Sequence, residues 1–268
     1  MKRIILILIG AAFFFNGIAQ NLLPSLWKFN TGDDPQWASP TFDDSEWKEI
    51  QAGIQWESQG YNSYDGYAWY RVTFIIPADL EPAASKYGGF NLHLARIDDA
   101  DMTYFNGKQV GITGKFPPHY ETKWNVDRLY RVPASSVRFG ELNTIAVRVY
   151  DLHGGGGIYS TPVQFSVRGL ADYLTLEPLF SEPDHIFKSE ESVNITVKLD
   201  FKSRKILEGK LSLQVISDFG KEIAILEKNL VMDGKGKYLV DFQLAAIEPG
   251  FYRVKAVFNS ELAYKTAD

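Results

Sequence analysis

Arg96-Ile-Asp-Asp-Ala-Asp-Met-Thr-Tyr-Phe-Asn-Gly-Lys-Gln-Val-Gly111 decides how the first half of this chain is read. Residues 102–105 form a short alternating strand, and Asn106-Gly107 supplies the positive-φ pair that a two-residue hairpin turn needs. Three carboxylates, Asp98, Asp99 and Asp101, crowd the entrance to that hairpin. Like charges repel and are rarely buried unpaired, so the cluster calls for a metal ion, a polyhydroxyl ligand or an arginine.

The same period-two grammar extends outward. Tyr70, Val72, Phe74 and Ile76 alternate until Pro77 stops them; Phe90, Leu92 and Leu94 alternate, as do Ile145, Val147 and Val149. Gly88-Gly89, Pro117-Pro118 and the glycine run 154–157 punctuate them. Later, Val193/Ile195/Val197/Leu199, Leu211/Leu213/Val215, Tyr238/Val240/Phe242/Leu244 and Tyr252/Val254/Ala256/Phe258 repeat the pattern, with Asp218-Phe-Gly220, Asp233-Gly234 and Pro249-Gly250 as the turns that separate them. Short strands at this spacing predict an all-β protein built of sandwiches, with no doubly wound α/β enzyme in the chain. All six tryptophans precede residue 125. That shift in composition predicts two domains, 21–170 and 171–268.

Residues 1–19 have the form of an export signal: Lys2-Arg3, an apolar run, then Gly17-Ile-Ala19 at the cleavage position. A periplasmic or extracellular protein is expected. With no cysteine there is no site for acyl anchoring as a lipoprotein, no disulfide, no thiolate catalysis and no cysteine-ligated zinc. The net charge of −5 is spread over both halves, so no basic stripe awaits nucleic acid, or a membrane once the signal is cleaved.

Several motifs carry a family resemblance. Phe42-Asp-Asp-Ser-Glu-Trp47, Tyr67-Ala-Trp-Tyr-Arg71, the acidic hairpin run with Asn106-Gly107, Trp124-Asn-Val-Asp-Arg128, and Val149-Tyr-Asp151 ahead of the glycine run fall in a recognisable order. Residues 26–168 resemble the sugar-binding β-sandwich of glycoside hydrolase family 2 enzymes and of bacterial sialate O-acetylesterases. The resemblance implies a galactose-binding-like jelly roll, and residues 173–268 resemble a bacterial immunoglobulin-like domain. It also implies a catalytic domain beyond residue 268, of a glycosidase or an acetylesterase such as acetyl-xylan esterase, because the chain stops directly after a strand.

Sugar sites combine aromatic faces with carboxylates, amides and guanidinium groups that bridge hydroxyls. Tyr61, Tyr64, Tyr67, Asp98, Asp99, Trp124, Asn125, Arg128 and Asp151 have that chemistry in or beside loops. The bland alternative pairs the aspartates with Arg71, Arg128 or Arg148 to fix loops, and leaves Trp37 and Trp47 as sandwich-core packing. Calcium bound by Asp98, Asp99, Asp101 and loop carbonyls is a further possibility, as a structural ion and not a cofactor of catalysis. Against it, strand alternation sends Asp98 and Asp99 to opposite faces, and the spacing is not that of an EF-hand. The four histidines, His93, His119, His153 and His185, have no partners at metal spacing. There is no Gly-x-Ser-x-Gly elbow and no identifiable carboxylate pair, so no catalytic residue is assigned. The expected role is a non-catalytic carbohydrate-binding region of a secreted hydrolase. Loops 61–67, 98–101 and 119–128 lending themselves to its active site, or a purely structural scaffold, are the alternatives.

Overall fold

The computed structural model describes residues 21–180, 192–234, 236–260 and 263–267. The export signal read in residues 1–19 lies outside these, as does His185. The chain divides into two compact units: the first ends at Val167, and the second takes Arg168–Asp268 together with Ala83–Gly88. No helix among the described residues is long and apolar enough to cross a membrane.

The first unit is a jelly-roll sandwich. Its strands are β1 (Leu26–Thr31), β2 (Lys48–Gln51), β3 (Gly66–Ile75), β4 (Phe90–Asp98), β5 (Ala100–Phe105), β6 (Lys108–Thr113), β7 (Asp127–Val132), β8 (Leu142–Asp151), β9 (Gly157–Ile158) and β10 (Gln164–Val167). One sheet has the order β2-β1-β3-β8-β5-β6; the other has β10-β4-β7, with β9 added to β4. The register sets Tyr70 opposite Val147 and Val72 opposite Ile145, so the alternating residues of both strands line one buried face. Phe165 of β10 stands at the centre, its ring 5.5 Å from Phe74 and 5.6 Å from Phe105 of the large sheet and 4.7 Å from Phe90 of the small one.

Strand β3 is buried on both faces, which its alternation alone does not announce. Trp69 and Arg71 point away from the sandwich interior and are covered by the segment 33–47. Arg71, 1% exposed, donates to Asp44 at 2.7 Å and to the carbonyl of Ser39 at 3.1 Å. Trp37 packs edge-on against Trp47 at 5.0 Å and against Trp69 at 6.1 Å. Both tryptophans therefore serve packing, but in a separate aromatic cluster on the outer face of the large sheet rather than in the sandwich core. The physical reason is Arg71: a buried guanidinium needs carbonyl and carboxylate partners, and the 33–47 turns bring them over the sheet.

The second unit is also an antiparallel sandwich. Strands β11 (Leu174–Phe180), β12 (Val193–Phe201) and β15 (Gly236–Leu244) form one sheet in the order β11-β12-β15. Strands β13 (Leu207–Ser217), β14 (Glu222–Met232), β16 (Tyr252–Asn259) and β17 (Tyr264–Ala267) form the other, in the order β14-β13-β16-β17. Sheets of three and four strands match the count of an immunoglobulin-type sandwich. The alternating residues Ile195, Val197, Leu199, Leu211, Leu213, Val215, Phe242 and Phe258 make its core.

Candidate functional site

Strand register gathers four loops at one end of the first unit. Gly66 pairs with Asp151, Ala100 with Tyr150, Ile97 with Ile158 and Arg96 with Asp127. The segments 52–65, 114–126 and 152–156 therefore meet around the junction of β4 and β5. Asp98 ends β4 in the small sheet and Ala100 begins β5 in the large one, so Asp99 belongs to neither. The alternation expected to separate Asp98 from Asp99 does not run through this switch of sheets. One carboxylate oxygen from each of Asp98, Asp99 and Asp151 lies within 4.8 Å of the others.

The three carboxylates differ in their surroundings. Asp99 accepts from Tyr120 Oη at 2.5 Å, from the hydroxyl of Thr122, and from the Leu152 N–H at 3.0 Å. Burial pushes its pKa up, but these donors outweigh it and hold the group below the usual carboxylate range. Asp98 is shifted the opposite way, raised by burial, by the hydrogen bond it shares with Asp99 and by the adjoining Asp99 and Asp151 charges. Asp151 is fully buried and neither of its oxygens has a well-formed hydrogen bond; the backbone N–H of His153 is the one donor turned towards it. Burial first, then repulsion from Asp99, Asp65 and Glu57, pushes its pKa up to about 7.

Two of the expected site residues belong to the interior instead. Asp101 and Arg128 form an ion pair at 3.0 Å in which both side chains are 0% exposed. Tyr130 and Thr103 also donate to Asp101, each at 2.9 Å. Arg128 spends its remaining donors on the carbonyls of Lys123 (2.6 Å), Val126 and Asp99 (3.2 Å). Arg128 thus cannot reach a ligand. Asp101 likewise leaves the expected calcium set, and Asp151 takes its place beside Asp98 and Asp99. Of the other arginines considered as partners, Arg71 pairs with Asp44 and Arg148 with Asp33, each at 2.7 Å.

The tyrosines are also redistributed. Tyr61 sets its ring edge-on to Phe29 at 4.6 Å, and Tyr64 does so to Trp56 at 5.8 Å while its hydroxyl donates to the Tyr67 carbonyl at 2.6 Å. These two half-buried rings cover the sandwich end over Phe29 and Trp56. Tyr67 is occupied by Arg148, whose guanidinium lies 4.6 Å from its ring and 4.4 Å from Phe116. Trp124, in contrast, is 50% exposed beside exposed Asn125, while the other tryptophans are buried or half-buried. Its loop is fixed from both sides: the Lys123 N–H donates to the Asp99 carbonyl at 2.9 Å, and Tyr159 Oη donates to the Trp124 carbonyl at 2.8 Å. Tyr120, Thr122, Glu57 and Tyr159 escaped the sequence reading. The signal for the first two was their two-residue spacing ahead of Trp124, in a loop opened by Pro117-Pro118.

The glycine run has a steric basis at Gly157. Its φ is +91°, and a Cβ there would sit 2.1 Å from Tyr70 Oη and 3.0 Å from the Trp56 ring. Gly157→Ala is expected to cost about 1–3 kcal/mol through overpacking and backbone strain. A thermal melt within about 1 °C of the wild type would contradict this.

No family model matches the chain, and no curated protein matches it. Solved structures do. A β-glucuronidase from Bacteroides uniformis aligns over 92% of this chain and 31% of its own, at 20% identity and a TM-score of 0.60. A glycosyl hydrolase family 2 member from Bacteroides cellulosilyticus aligns over 90% of this chain and 35% of its own, at 20% identity and a TM-score of 0.60. A β-glycosidase from Bacteroides vulgatus aligns over 94% and 33%, at 17% identity and a TM-score of 0.63. The chain therefore spans about a third of the length of these enzymes and has the fold of that portion.

Proposed function

We propose that this chain is a non-catalytic, carbohydrate-binding accessory region of a secreted glycan-degrading hydrolase. The observation that supports the reading is Trp124: a lone exposed indole, in a loop tied to Asp99 and Tyr159 at the loop end of a sandwich whose fold recurs in glycosidases. Its ring face offers a stacking surface for the C–H face of a sugar, and Asn125 and Asp98 offer amide and carboxylate groups to the hydroxyls. A catalytic domain elsewhere in the same polypeptide would act on the glycan so held.

Affinity electrophoresis through gels containing xylan, galactan or pectin tests this. One polysaccharide should retard the protein, and Trp124→Ala should abolish the retardation while changing stability by no more than about 0.5 kcal/mol, as expected at an exposed site. Uniform migration in every gel would sink the binding role. The rival in which these loops complete the active site of a catalytic domain draws support from the partial span of the matched enzymes. It would then compete with a purely structural role.

A further inference from the structure

We propose that Asp98, Asp99 and Asp151 bind a hard divalent cation of the calcium class, which ties the β4–β5 junction to the loop leaving β8. The geometry suits a single ion. Calcium takes oxygen ligands at about 2.3–2.6 Å, so two oxygens on one ion stand at most roughly 5 Å apart. The three carboxylates each present an oxygen within 4.8 Å of the others.

The case rests on more than clustered acids. Asp151 is 0% exposed, points into the cluster, and has neither water access nor a well-formed hydrogen bond for either oxygen. A carboxylate so placed calls for a compensating positive charge. The described residues supply none to it by ion pairing. Among the described residues no lysine or arginine ion-pairs with Asp98, Asp99 or Asp151. Arg128, the nearest guanidinium, is committed to Asp101 and three carbonyls. Lys115 and Lys123, in the neighbouring loop, both pair with Glu121, at 2.6 and 2.7 Å.

The surroundings are those of oriented ligands. Tyr120, Thr122 and the Leu152 N–H orient Asp99, whose remaining contact is a hydrogen bond shared with Asp98 that an ion between the two carboxylates would replace. Donors that orient a coordinating carboxylate in this way are the usual outer shell of a metal site. Glu57 and Asp65 add further negative charge beside Asp151. Main-chain carbonyls and waters would complete the coordination.

The test is a thermal melt of the whole protein, freed of metal with EDTA and then given calcium or magnesium chloride, with parallel calorimetric titration. Calcium at about a hundredfold excess over its Kd should raise the melting temperature of the first unit by about 5–10 °C, and EDTA should reverse the rise. Asp151→Asn should lose the response. Without metal that variant should melt no lower than the wild type, since the amide relieves repulsion, so the loss would not reflect misfolding. Trp124→Ala should respond like the wild type, which separates this site from sugar binding. No shift and no heat with either cation at millimolar concentration would overturn the proposal, leaving carboxyls that hold protons instead. A full calcium response in Asp151→Asn would overturn it too, by placing the ion elsewhere.

Discussion

Arg128→Ala should destabilise the first unit by about 3–5 kcal/mol, the usual cost of breaking a buried ion pair from one side. The guanidinium is 0% exposed and serves Asp101 and three carbonyls at once. Its removal leaves Asp101 charged in the interior with only hydroxyl partners. Burial already pushes the Asp101 pKa up against the opposing pull of Arg128, so the variant would take up a proton there. The Val126 carbonyl would lose its donor, while the Asp99 and Lys123 carbonyls keep the N–H groups of Lys123 and Val126. Urea unfolding followed by tryptophan fluorescence is the right measurement, because all six tryptophans lie in the first unit and the signal reports on it alone. The midpoint should fall with the slope unchanged. Replacing both partners, Asp101→Leu with Arg128→Met, should recover much of the loss, since Tyr130 keeps Thr113 as a partner at 2.7 Å. A single-variant loss below about 1 kcal/mol would mean that water reaches the pair.

Phe165→Ala should cost a similar amount, about 3–5 kcal/mol, by a different route. The ring is fully buried and touches phenylalanines of both sheets, so its loss opens a cavity where the two layers meet. Strand β10 is only four residues long and sits at the edge of its sheet, paired with β4 on one side. On its other side the Asn21 side chain accepts the Phe165 N–H at 3.1 Å and the Leu22 N–H donates to the Phe165 carbonyl at 3.2 Å. Phe165→Leu refills part of the space and should cost clearly less than Phe165→Ala in the same titration. Equal losses for the two would point to β10 detaching in both variants, and the cavity account would fail.

Much of the architecture was legible because strand alternation is a local signal. Tyr70, Val72 and Phe74, or Leu211, Leu213 and Val215, declare a buried face without reference to any partner strand. The Asn106-Gly107 turn likewise declares its hairpin. The site was legible only in part, because it depends on where the chain leaves one sheet for the other. Asp101 looked equivalent to Asp98 and Asp99 by proximity in sequence. The change of sheet at Asp99 turns Asp101 inward to Arg128, and brings in Asp151 from the far end of β8. Tyr61 and Tyr64 sit in a loop, as a ligand platform would, yet each sets a half-buried ring against a core aromatic, Phe29 and Trp56. Composition has no way to say on which side of its backbone a loop tyrosine lies. Trp37 and Trp47 were readable as packing residues, while the layer they pack in was set by Arg71 on the opposite strand face.

Asp99 has one more consequence, for how such a region diversifies. Its side chain holds Tyr120, Thr122 and the Leu152 N–H, and its carbonyl holds the Lys123 N–H and Arg128. Two loops far apart in sequence are thus referenced to one residue that belongs to no strand. The exposed residues beside those anchors, at 117–119 and 153–154, can change in composition while the anchors stay in register. New specificities can be grafted onto an unchanged frame, and the frame is guarded by a single carboxylate and its neighbouring amide.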